Sequence, residues 1–281
     1  MVGSNEYMQT LLNVLILSVT EIFYLVGVLI AVGILLGWMQ SISNKWAYQA
    51  FGKIGILLTG CIGTPIHEAG HAMMCLLFGH KINSIKFFTM NPNTTTLGYV
   101  NHSFNRHNLY QASGNFFISL GPLFSGTAAI LFFMYLLEPY TFNALQRYIV
   151  AVPLESNTIM SLIEWSSSSI AVVYTGIFSS KNVGSPNFWL FLVLAICTAS
   201  HIALSKEDIK NAISGFTVTL FTVVLINIVA ALSDMETLKY VLIIAKYNIY
   251  LVAILSVSIG FSLITALIMG LACKIKSVVM R

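Results

Sequence analysis

The sequence predicts an all-α polytopic membrane protein of about six transmembrane helices, with a small β-hairpin inserted after the segment HEAGH at residues 67–71. Three observations carry that expectation. Of the 281 residues, 57% are hydrophobic and only 9% are charged, against about 25% charged in an ordinary soluble domain. Apolar stretches recur at the length of about 20 residues that a hydrocarbon core about 30 Å thick requires. Only short polar segments separate them, so the whole chain 1–281 reads as one integral membrane domain.

Taken in order, apolar length marks crossings at about 10–38, 52–78, 116–137, 212–232 and 245–273, and a shorter one at 187–204. The first is too long for a signal-peptide core and has no basic flank before it. Segment 156–178 contains Glu164 and four consecutive serines, Ser166 to Ser169, and is expected to lie at the interface or re-enter rather than cross. Residues 79–115 alternate in KINSIKFF and again in GYVNHSF around the turn cluster NPNTTTLG, which predicts the hairpin. The core of the domain is expected within about 52–232. Basic residues in the C-terminal tail (Lys274, Lys276, Arg281) point to a cytoplasmic tail. Counting crossings back from the tail puts the 79–115 loop, with Lys81, Lys86 and Arg106, on that same side, and leaves Lys45 and Lys53 against the rule. The expected home is a bacterial cytoplasmic membrane with the site facing the cytoplasm.

Composition also removes function classes. The net charge of +4 comes from scattered lysines and arginines with no basic stripe, which excludes nucleic acid as a partner and leaves the bilayer and a membrane protein or peptide. Cys61, Cys75, Cys197 and Cys273 show no paired spacing and are expected to pack.

HEAGH carries the chemistry. Residues four apart share a helix face, so His67 and His71 can offer two imidazole nitrogens to one Zn2+ ion, with Glu68 beside it as general base. Charged groups inside a bilayer cost about 2.5 kcal/mol or more on insertion scales and are usually functional. The segment GTPIHEAGHAMMCLLFGHKINSIKFF resembles the metalloprotease helix of site-2-protease-type (M50) intramembrane proteases. GNFFISLGPLFSG, at 114–126, is similar to that family's later Gly-Pro motif, through Gly121, Pro122 and Ser125. The resemblance implies a zinc endopeptidase, with one Zn2+ per chain, that cleaves peptide bonds in or near transmembrane segments. A proteolytically inactive homologue that binds membrane segments and a metal transporter are the competing readings.

The resembled family takes its third ligand from an aspartate in an LDG-like motif, and no LDG occurs here. Asp208, in the polar break HIALSKEDIKNAISG, is the preferred candidate. Ser205 three residues before it also makes Asp208 a helix-capping residue, and His201 is the alternative ligand. Asn115 is a candidate to bond substrate backbone or to cap a helix starting at Phe116. Gly121 and Pro122 are expected to break their helix and open backbone to an extended peptide. Glu21 is expected to make a structural hydrogen bond. Glu164 is expected at the interface, and His80, His102 and His107 as solvated loop residues.

Overall fold

The computed structural model describes residues 2–90, 96–152, 159–233 and 235–279. The expected turn residues 91–95, the start of the 156–178 segment and Asp234 lie outside the described residues. The chain is built of helices with one two-stranded antiparallel sheet. Helix α1 (Val2–Ile22) passes through a π-helical turn at Phe23–Gly27 into α2 (Val28–Phe51). A turn at Gly52, with φ of 65°, starts α3 (Lys53–Leu77), which carries HEAGH. Strands β1 (Lys81–Lys86) and β2 (Tyr99–Ser103) follow, then α4 (Leu109–Leu137), α5 (Pro139–Ala151), α6 (Ile159–Ile177), α7 (Ser180–Val183) and α8 (Pro186–Ala199). The chain ends with α9 (Lys206–Leu232), α10 (Thr237–Ala245) and α11 (Asn248–Val279).

Among the described residues four stretches, not six, are long and apolar enough to cross a membrane: Met8–Phe51, Leu109–Leu137, Lys206–Leu232 and Thr237–Val279. The difference has two causes. Helix α8 has 14 residues, about 21 Å at 1.5 Å per residue, which is short of a hydrocarbon core. Helix α3 is long enough, but His67, Glu68 and His71 dilute its apolar character. It is sheltered instead by α4, its most extensive partner, and by α8 and α2. Helix α6, with Glu164 exposed, is likewise not among the four. Large apolar side chains such as Ile16, Phe221, Leu225 and Leu267 face outward, as lipid contact requires.

Topology departs from the charge count as well. Lys276 Nζ donates to the carbonyls of Gln49 and Ala50 at 3.1 and 3.0 Å, so the basic tail lies beside the α2–α3 turn. The hairpin leaves from the other end of α3. Tail and hairpin are therefore at opposite ends of a helix about 37 Å long, and Lys45 and Lys53 share the tail's end. The count erred by treating α8 as a full crossing. With basic residues at both ends, charge does not choose the orientation.

Two cores hold the bundle. One joins α4, α5, α6, α8 and α11 through Met134, Leu145, Ile177, Phe191 and Ile254. The other joins α1, α2 and α4 to the loop after α8 through Leu29, Leu36, Leu123 and Ile202. One polar cluster inside the bundle is hydrogen-bonded: Asn227 donates to Glu21 Oε2 (2.7 Å) and to Ser18 Oγ (2.9 Å) and accepts from Thr237 (2.6 Å), so Glu21 makes the structural hydrogen bond expected of it.

Close backbone contact fixes α3 against α4. A Cβ on Gly121 would lie 2.6 Å from the Gly70 carbonyl oxygen, and one on Gly70 would lie 2.4 Å from that of Gly121. Gly121→Val is expected to lower stability in detergent by about 1–3 kcal/mol, whereas Gly184→Ala, whose new Cβ would meet nothing nearer than 3.8 Å, leaves it unchanged. Denaturant titration followed by circular dichroism measures both.

Candidate metal centre

Helical spacing puts His67 and His71 on one face of α3, and their Nε2 atoms lie 3.1 Å apart. Asp208, in the first turn of α9, brings Oδ1 to 3.3 Å from His71 Nε2 and Oδ2 to 3.9 Å from His67 Nε2. These three residues form one of the two groups of metal-ligand type among the described residues. All three are mostly buried, and they come from elements far apart in sequence.

The far side of each ring sets its chemistry. His67 Nδ1 donates to the carbonyl of His201 at 2.7 Å, and His71 Nδ1 donates to that of Ile118 at 2.8 Å. A carbonyl only accepts, so each Nδ1 carries a proton, and a ring that is neutral turns an Nε2 lone pair inward. Two lone pairs 3.1 Å apart beside a carboxylate repel one another unless a cation lies between them. Outer hydrogen bonds of this kind are what orient histidines toward a metal.

Both carbonyls lack a helical donor. Pro122 has no N–H, so the Ile118 carbonyl four residues earlier loses its helical partner and takes the proton of His71 instead. His201 lies just past the end of α8, where carbonyls have no helical donor ahead of them. Ser125 Oγ donates to the Ile66 carbonyl at 2.7 Å and ties α4 to α3 at the residue before His67. Gly63 lets the end of α8 come close: a Cβ there would lie 2.3 Å from the Cys197 carbonyl oxygen and 2.7 Å from His201 Cβ.

Asp208 fills two roles in one geometry. Its Oδ2 accepts from Ser205 N at 2.8 Å and its own N–H donates to Ser205 Oγ at 3.1 Å, completing a capping box, while Oδ1 faces His71. The His201 ring lies elsewhere, its Nε2 2.9 Å from Thr59 Oγ1, and only its carbonyl serves the cluster.

Glu68 lines a cavity of about 630 Å³ together with His67, Thr64, His201 and Gly98. Gly98, just before β2, packs so closely that a Cβ there would lie 2.8 Å from Glu68 Cγ. Asn115 does not share this cavity. It lines a separate one of about 640 Å³ between β2, α4 and α9, and it does not cap α4, which starts at Leu109 with Asn108 accepting from Tyr110 and Gln111. Gly121 and Pro122 are buried in the α3–α4 contact rather than open to a peptide, and the carbonyl that Pro122 frees is used by His71.

His80 and His102 also depart from the expectation of solvated loop residues. His80 is 4% exposed and His102 is partly buried, with their Nδ1 atoms 3.0 Å apart, while His107 is exposed as expected. Burial, as the largest cause, lowers the pKa of both below the usual value. Both are therefore neutral at pH 7. Nothing in their spacing signals the pairing, because it depends on the register that sets His102 opposite Ile82.

No protein-family model, no curated protein and no solved structure matches the chain.

Three substitutions test the assignment. Asp208→Ala is expected to lose one bound metal ion per chain while His201→Ala keeps it, measured by elemental analysis of the purified protein. Pro122→Ala restores an N–H that competes with His71 for the Ile118 carbonyl. Metal affinity should then fall about 10–100-fold in a chelator competition, the usual cost of losing an outer-shell partner.

Proposed function

We propose that this protein is a zinc-dependent intramembrane endopeptidase that hydrolyses peptide bonds in or next to the transmembrane segments of other membrane proteins. The observation that carries the reading is the pair of inward Nε2 lone pairs, 3.1 Å apart beside the Asp208 carboxylate, with the Glu68 carboxylate on the adjoining cavity. Two imidazoles and one carboxylate are the donor set of a catalytic zinc site, which keeps a further position open. The likeness of HEAGH and of the later Gly-Pro segment to site-2-type proteases supports the same reading.

His67, His71 and Asp208 would hold the zinc ion. Bound there, zinc lowers the pKa of a coordinated water to about 7 and polarises a carbonyl. Glu68 takes the proton from the attacking water and delivers it to the leaving nitrogen, so that the C–N bond breaks as an amine departs. Residues 96–98 form part of the cavity wall beside Glu68, where an unwound substrate segment would lie. Trp38, Gln40 and Asn44 of α2 also line it. A substrate helix must unwind to enter, because a helical backbone hides its carbonyls in its own hydrogen bonds.

Glu68→Gln separates this reading from metal transport and from silent binding of membrane segments. Cleavage should fall about 10²–10⁴-fold while metal content stays unchanged. Comparing membrane proteins of cells carrying wild-type or Glu68→Gln chains should reveal substrates that accumulate intact in the variant. Equal fragment patterns in the two would overturn the proposal.

A further inference from the structure

Cys75, His80 and His102 bring one sulfur and two ring nitrogens to within 4.8 Å of one another, outside the HEAGH cluster. The group is built into the end of α3. Gly79, with φ of 68°, closes a Schellman motif in which Gly79 N–H donates to Leu76 O (3.2 Å) and His80 N–H donates to Cys75 O (2.8 Å). That last bond fixes His80 beside Cys75. His102 reaches the same point from β2 because the β1–β2 register places it there.

The rings are oriented as metal ligands are. His80 Nε2 donates to the Gln111 carbonyl at 2.7 Å, which puts its proton on Nε2 and turns the Nδ1 lone pair toward His102 Nδ1, 3.0 Å away. For comparison, two nitrogens bound to a tetrahedral zinc stand about 3.3 Å apart, given Zn–N bonds of about 2.0–2.1 Å. The His80 ring also stacks on Phe104, centroids 4.8 Å apart, and α4 closes over it at Gly114, where a Cβ would lie 2.9 Å from His80 Nε2. Cys75 is fully buried. His102 also lines the cavity of about 640 Å³, which gives an ion and its water a route to the group.

We propose that Cys75, His80 and His102 form a second metal site, one that takes Zn2+ and fastens the hairpin to the C-terminal end of the HEAGH helix. One thiolate and two neutral imidazoles favour zinc over oxygen-seeking Mg2+ or Ca2+. Binding replaces the S–H bond with an S–Zn bond and releases the proton to water. His102, which in the metal-free pair donates from Nδ1 to His80, moves its proton to Nε2. This site stands apart from the proposed peptidase chemistry, and its test reads metal content rather than cleavage.

The experiment titrates full-length protein in detergent, stripped of metal, with Co2+ and Zn2+. Wild-type protein should take two equivalents, and the Co2+ form should show a near-ultraviolet thiolate-to-metal band. Cys75→Ser should lose that band and one equivalent. His102→Ala, at a partly exposed position that tolerates truncation better, should lose one equivalent as well. The His67→Ala/His71→Ala double variant should lose the other equivalent and keep the band. Absence of the band in wild-type protein, or an unchanged number of equivalents in Cys75→Ser, would each overturn the second site and leave a His–His hydrogen bond packed on a buried thiol, whereas one equivalent with the band present would count against the HEAGH site alone.

Discussion

Two imidazole lone pairs are held face to face inside a bundle made almost entirely of hydrocarbon. His67 and His71 each commit Nδ1 to a backbone carbonyl, and with no other tautomer available both Nε2 atoms point at one spot beside Asp208. That convergence is unfavourable without a cation, and it persists only because three separate elements impose it. The surrounding structure reads most simply as the set of arrangements that make it possible.

The first arrangement is the supply of spare carbonyls. A regular helix has none in its interior, because every carbonyl accepts from the N–H four residues ahead. Pro122 creates one inside α4, and the early end of α8 creates another. A helix with a proline in its interior and a helix too short to cross are thus the ones that orient the histidines. The second arrangement is close approach. Gly70 against Gly121, and Gly63 against the end of α8, let backbones meet at distances that any Cβ would block. Where lipid gives no hydrophobic drive between helices, such small-residue contacts are the usual means of association.

The hairpin extends the same logic. Its β2 strand leads out of Gly98, which packs on Glu68, and its His102 reaches back to His80 and Cys75 at the end of α3. A short two-stranded sheet is marginal by itself in water. Here it is held at one end by contact with the Glu68 side chain and at the other by the His80–His102 pair, so its placement and that of the HEAGH cluster are coupled.

The sequence by itself determined the helical class of the protein and the pairing of His67 with His71 on one helix face. Apolar length and low charge specify helices in a bilayer, and the spacing of His67 and His71 places two imidazoles on one face, because both are local properties of an α-helix. The hairpin was legible for the same reason, from alternation around a turn cluster. The number of crossings was not, since Glu68 and its histidines make α3 look less apolar than its shelter allows, and α8 hides its short length within a longer apolar run. Nor was the pairing of His80 with His102, or the use of the Ile118 and His201 carbonyls. Those depend on strand register and on which helix ends meet, and residues 47, 134 and 22 positions apart come together only when the packing of the whole bundle decides it.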